Sequence, residues 1–184
     1  MSHRRPDARR LVFETHATSL DNEAGVASGH FDVDLSPAGE AQAVALGERY
    51  RADPPALVAA SDLRRAWRTA ELAFGSSVPI VRDARLRECD YGELTRQPTT
   101  AIDAVRPAAI DRPFPGGESY RQAVARVGGW LDELRAAWPS GWVLVIGHRA
   151  THYALDHLIH GAPIADLMTA PFAWQPGWSY DLDG

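Results

Sequence analysis

Four positions far apart in the chain carry side chains with coherent chemistry: His16, Arg65, Glu88 and His148. A neutral imidazole is a nucleophile toward phosphorus. A guanidinium and a second imidazole can hold phosphoryl oxygens and offset their charge as it grows. A carboxyl group can protonate a leaving oxygen and then take a proton from an attacking water. The set therefore points to phosphoryl transfer, provided that the fold brings the four together.

The sequence around each residue says how that could happen. The apolar run Leu11–Phe13 leads to His16, and Asn22, Gly25 and Gly29 turn the chain soon afterwards. Leu57–Ala60 precedes Arg65, with Ser61-Asp62 as the expected cap of a helix over about Leu63–Phe74. Val78–Val81 precedes the loop that carries Glu88. The continuous apolar run Trp142–Ile146 reads as a central strand covered on both faces, and it ends at His148. In a parallel sheet the carboxyl ends of strands share one edge, where ligands bind.

Helices alternate with these strands. Ser36-Pro37 opens one that runs to about Arg51, with Ala41, Val44 and Ala45 on its expected apolar side. Another follows Pro115-Gly116-Gly117-Glu118-Ser119 and runs to about Trp138, its apolar positions Val124, Val127, Leu131 and Leu134 recurring every three or four residues. A third spans about Ala150–Ile159 and stops at Gly161. The tail from Phe172 to Leu182 suits an edge strand. The pattern predicts a three-layer α/β/α sandwich with a mostly parallel central sheet. It is expected to be a single domain over residues 1–184, with residues 1–8 loosely ordered.

Composition narrows the partners. A net charge of −5 argues against nucleic acid. No window has the length and apolarity of a membrane span, and the polar amino terminus is unlike a signal peptide. The single cysteine, Cys89, fits a reducing compartment, so the expected location is the cytoplasm. All 19 basic residues are arginine, so every long cationic side chain is a forked guanidinium.

The ordered motifs resemble those of the histidine phosphatase superfamily, which includes the cofactor-dependent phosphoglycerate mutases. The family's opening pattern is met at His16, Asn22, Gly25, Gly29, Asp32, Leu35, Ser36, Gly39, Gln42 and Ala43. Its Ser-Asp-Leu-x-Arg-Ala-x-x-Thr-Ala appears as Ser61–Ala70, and its Leu-x-Glu-x-x-x-Gly as Leu86–Gly92. Its Pro-Gly-Gly-Glu-Ser appears as Pro115–Ser119, and its apolar strand ending in histidine as Val143–His148. The resemblance implies a phosphoglycerate mutase-like fold and a phosphatase that works through transient phosphorylation of His16. It further implies that Arg65 and His148 bind the phosphoryl group, that Glu88 is the proton donor, and that Asn22 lies in the pocket. The implied substrate is a small phosphorylated metabolite, with no cofactor and no metal, and the protein would be a monomer or homodimer.

One departure falls beside the nucleophile. Where the family has Arg-His-Gly, this chain has Thr15-His16-Ala17, so a phosphate-clamping guanidinium is missing. Loss of one transition-state donor typically costs on the order of 10²–10³ in rate. Thr15 and Thr18 can still donate hydroxyl hydrogen bonds, and Arg149 could supply the missing guanidinium, with Arg10, Arg87 and Arg121 as lesser candidates. Three alternatives follow. One is a phosphoester-binding homologue that is weakened or inactive. Another is a mutase-type phosphotransferase, which the short chain disfavours. The third is a metal-dependent hydrolase built on His148, His152 and Asp156.

Overall fold

The computed structural model describes residues 9–183, so the expectation for residues 1–8 lies outside the described part of the chain. β1 (Arg10–Thr15) leads through the short α1 (Leu20–Glu23) into α2 (Pro37–Tyr50). Then come β2 (Leu57–Ser61), α3 (Arg64–Phe74), β3 (Ile80–Asp83), α4 (Thr99–Val105) and α5 (Tyr120–Ala136). β4 (Val143–Gly147), α6 (Arg149–His160), α7 (Ile164–Thr169) and β5 (Trp178–Asp181) complete the chain. The sheet runs β3-β2-β4-β1-β5. Its first four strands are parallel, and β5 closes one edge antiparallel to β1.

Alternation along the strands divides the core into two layers. Leu11 and Phe13 pack with Val127, Leu131 and Leu155 from α5 and α6. Val12, Leu144 and Ile146 pack with Leu46, Ala66, Ala70 and Phe74 from α2 and α3. β4, between β1 and β2, is buried at every residue, which accounts for its unbroken apolar run. Each such side chain removed from water contributes roughly 1.5–3 kcal/mol.

Two details differ from the sequence-based expectation. The buried side of α2 is Gly39, Ala43 and Leu46, whereas Ala41, Val44 and Ala45 face outward. Close backbone approach decides this. A Cβ on Gly39 would stand 1.9 Å from the Thr18 carbonyl oxygen, so the glycine face, rather than the bulkiest apolar face, turns inward. The cap of α3 is also different. Neither Ser61 nor Asp62 serves as its N-cap; Leu63 does, with no side-chain cap bond of its own. Instead Asp32, from the long loop after β1, accepts the Arg64 N–H at 2.6 Å. Asp62 is held by Arg87 through two bonds of 2.7 and 2.6 Å.

Candidate active site

His16 leaves the end of β1, and its N–H donates to the Gly147 carbonyl at the end of β4 (3.0 Å). Its Nδ1 lies 2.7 Å from the Ala17 carbonyl oxygen. A carbonyl only accepts, so Nδ1 carries the hydrogen and the Nε2 lone pair is free. The Ala17 N–H donates to Thr69 Oγ1 (3.0 Å), and the Thr69 hydroxyl donates to the Arg65 carbonyl (2.7 Å), so the histidine turn is locked to α3. Burial, with the Arg65 cation as the second cause, pushes the His16 pKa down to about 3.

His148 is the N-cap of α6 and is 1% exposed. Both of its ring nitrogens are buried without a hydrogen-bond partner, a costly condition that a bound polar ligand would relieve. Burial holds its pKa well below the ordinary histidine value, with the charge of Arg65 next in weight. The His16 and His148 ring centroids are 5.0 Å apart.

Arg65, 2% exposed, comes from the first turn of α3. Its Nη1 donates to the Phe31 carbonyl (2.9 Å) and its Nη2 to the Gly29 carbonyl (2.8 Å). Two of its five N–H groups therefore fix the fork, and the others remain for a ligand. Glu88 is fixed through one oxygen: its Oε1 accepts the N–H groups of Cys89 (2.8 Å) and Ala150 (3.1 Å), the latter in the first turn of α6. The Glu88 carbonyl accepts from Arg126 Nη2 (2.8 Å) and lies 2.8 Å from His30 Nε2. Arg126 also binds Glu118, whose Oε1 accepts the Asp90 N–H, so Glu118 is a strut of the Glu88 loop.

These residues meet at one cavity of about 280 Å3, lined by His16, Arg65, Glu88 and His148 together with Asn22, Thr15 and Arg149. Asn22 closes a capping box on Ser19, and its Oδ1 accepts there (3.0 Å), leaving its amide N–H groups for the cavity. Thr15 Oγ1 accepts from the Trp174 indole (3.2 Å). Thr18 does not reach this cavity. Both its hydroxyl and its N–H donate to Gln42 Oε1, on the wall of a second cavity of about 550 Å3 on the α2 side. Thr15, His16 and Asn22 border both cavities.

Arg149 lines the first cavity, but its Nε donates to the Tyr153 hydroxyl (2.7 Å) and its Nη1 lies 3.7 Å from Asp103. Arg10, Arg87 and Arg121 pair with Asp53, Asp62 and Asp111 and line neither cavity. Glu14 is 1% exposed, accepts from the Tyr50 hydroxyl (2.6 Å) and pairs with Arg49 (3.3 Å). The proposed metal set is split. His148 faces His16, whereas His152 packs against Phe13 and Trp178. Among the described residues there is no group of three or more metal-ligating side chains suited to holding an ion. No described helix is long and apolar enough to cross a membrane.

Sequence reasoning missed Arg106, Arg126 and Phe172. Arg106 is a buried cation on the cavity wall, and Phe172 lines it from the tail. Nothing in local spacing marks Arg106, which follows a weak helical segment. Arg126 sits on the polar side of α5, where it reads as an ordinary surface charge.

The sequence model of the histidine phosphatase superfamily (branch 1) matches residues 11–174. The glucosyl-3-phosphoglycerate phosphatase of Mycobacterium tuberculosis is 32% identical over 176 residues, covering 86% of this chain and 78% of the relative. Phosphoserine phosphatase 1 of Hydrogenobacter thermophilus is 29% identical, covering 95% and 82%. A solved structure of the mycobacterial glucosyl-3-phosphoglycerate phosphatase with VO3 superposes with a TM-score of 0.79 at 29% identity, covering 89% of this chain and 86% of that one. YhfR of Bacillus stearothermophilus shares the fold with a TM-score of 0.81 at 24% identity, covering 94% and 90%.

Proposed function

The chain belongs to the histidine phosphatase superfamily, and from that premise we propose that it hydrolyses small phosphomonoesters in two steps at the His16 cavity. In the first step His16 Nε2 attacks phosphorus and the ester P–O bond breaks. The Glu88 carboxyl gives its proton to the leaving oxygen. In the second step a water oxygen bonds to phosphorus, the N–P bond breaks, and the Glu88 carboxylate takes the water's proton. Arg65 and His148 hold the phosphoryl oxygens throughout, with the Asn22 amide and the Thr15 hydroxyl beside them. Substrate phosphate supplies an acceptor for the N–H that the buried, neutral His148 ring leaves unpaired.

The observation that carries this reading is the pairing of a neutral His16, its Nε2 free, with a buried Arg65 and an unpartnered His148 on one cavity. The small cavity supports a compact substrate. The lone, buried Cys89 supports a cytoplasmic location. Thr15, in place of the family's arginine, supports a slow enzyme or, at the limit, a phosphoester-binding protein without turnover.

Acid-quenching during turnover of p-nitrophenyl phosphate tests the proposal. The wild type should yield a phosphohistidine peptide containing His16, and His16→Ala should lose it together with at least about 10³-fold of the rate. Equal turnover by the two proteins would overturn it.

A further inference from the structure

We propose that the part of the cavity wall built by Arg106 and Arg149 is a carboxylate subsite, so that the preferred substrates are phosphomonoesters whose leaving group carries an acid. The inference rests on the phosphatase reading above and adds a substrate class to it.

The two guanidiniums converge on a single oxygen. Arg106 Nη2 contacts Asp103 Oδ1, and Arg149 Nη1 lies 3.7 Å from the same atom. One half-exposed carboxylate thus stands against two cations, and one positive charge is left over. The other partners do not cancel it. Arg106 Nε donates to the Tyr120 hydroxyl (3.3 Å) and Arg149 Nε to the Tyr153 hydroxyl (2.7 Å), and burial keeps both phenols neutral. Glu88 is the one acid among the residues that line the cavity, and one of its oxygens is committed to backbone N–H groups.

Holding such a pair has a cost. Arg106 is only 5% exposed, and a buried cation is unfavourable unless its charge is met. Both forks are nevertheless fixed in advance: each is tethered through Nε, and the Arg149 guanidinium also sits 5.0 Å over the Phe172 ring. Fixed forks with spare amino groups are suited to a planar two-oxygen anion, and they bind it with little loss of side-chain freedom. The phosphoryl group has its own holders in Arg65 and His148, so this wall is free for a second anion. A cavity of about 280 Å3 lies at the small end for ligand sites, which suits a phosphoryl group plus a short acid.

The test compares phosphoserine with phosphoethanolamine, which differ only by the carboxylate. Binding is read by calorimetry on His16→Ala protein, so it does not depend on turnover. Phosphoserine should bind at least about 10-fold more tightly, and adding Arg149→Gln should remove most of that preference. Arg149 is partly exposed, so this variant is expected to fold even if Arg106→Gln does not. A preference below about twofold, or one unchanged by Arg149→Gln, overturns the subsite. Tighter binding of propane-1,3-diyl bisphosphate than of phosphoserine would assign the wall to a second phosphoryl group and overturn the carboxylate. Turnover of p-nitrophenyl phosphate by the wild type, measured alongside, reports separately on the phosphatase reading.

Discussion

The imidazoles of His16 and His148 stand 5.0 Å apart between ring centroids, tilted by 56°, and both are held uncharged by burial and by the Arg65 cation. Two protonated rings this close to a guanidinium would repel one another and the cation, so the site is built for neutral histidines.

That arrangement predicts an acid-sensitive fold. Both histidines bind protons less readily when folded than when unfolded, where the ordinary value is 6.5. Their contribution is intact above about pH 6.5 and is lost as pH falls toward the folded values, about 3 for His16. In that window each ring should steepen the fall by up to about 1.4 kcal/mol per pH unit. Urea unfolding of the wild type and of His148→Asn at several pH values checks this. The variant should show a shallower slope, and identical slopes would contradict the assignment.

Glu88→Gln separates chemistry from structure. A glutamine Oε1 can still accept the Cys89 and Ala150 N–H groups, so the melting temperature should move little. The group proposed as proton donor is gone, and kcat should fall about 10²–10⁴-fold for alkyl phosphates. The loss should be smaller for p-nitrophenyl phosphate, whose leaving group needs less help. A uniform loss across leaving groups would mean that Glu88 does not deliver the proton.

Thr15→Arg restores a guanidinium where the family has one. Thr15 borders both cavities, so the longer side chain has open space beside His16, at the expense of the Trp174 indole bond. Phosphate affinity and kcat/KM for p-nitrophenyl phosphate should rise by about 10-fold or more. No gain would show that other groups already do the work of the missing arginine.

Gly39→Ala tests the seam between α2 and the His16 loop. The added Cβ would fall 1.9 Å from the Thr18 carbonyl oxygen, which is backbone on a loop pinned at both ends. Destabilisation of at least about 3 kcal/mol is expected in chemical denaturation, with phosphatase activity lost in parallel. Gly25→Ala, with open space around its Cβ position but φ at +69°, should cost only about 1 kcal/mol.

The sequence made the parallel sheet and the convergence of His16, Arg65, Glu88 and His148 legible, because strand-end positions follow from apolar runs and their order. It did not make α2's buried face legible. That face is chosen by how closely Gly39 and Gly47 approach neighbouring carbonyls, a tertiary fact with no periodic signal. The α3 cap is hidden for a related reason: Asp32 reaches Arg64 across 32 residues of sequence, while the local candidate Asp62 is captured by Arg87. Thr18 is two residues from His16 in sequence, yet Gln42 takes both of its donors. Arg149 is legible as a guanidinium beside His148, but its partners Asp103 and Tyr153 and its companion Arg106 come together through tertiary contacts that spacing alone does not reveal.

The grip of Arg65 on the carbonyls of Gly29 and Phe31 separates what a mutational survey would score from what the molecule uses. Arg65 needs the peptide oxygen of residue 31 and not its side chain, and the Phe31 ring is 43% exposed. Many substitutions there would pass unnoticed, and the position would look dispensable. Position 29 would give the opposite record, because φ is +51° and an added Cβ would come within 3.1 Å of the Tyr91 ring. Two adjoining contacts to one guanidinium would thus leave unequal marks in any comparison of sequences, one strict and one invisible.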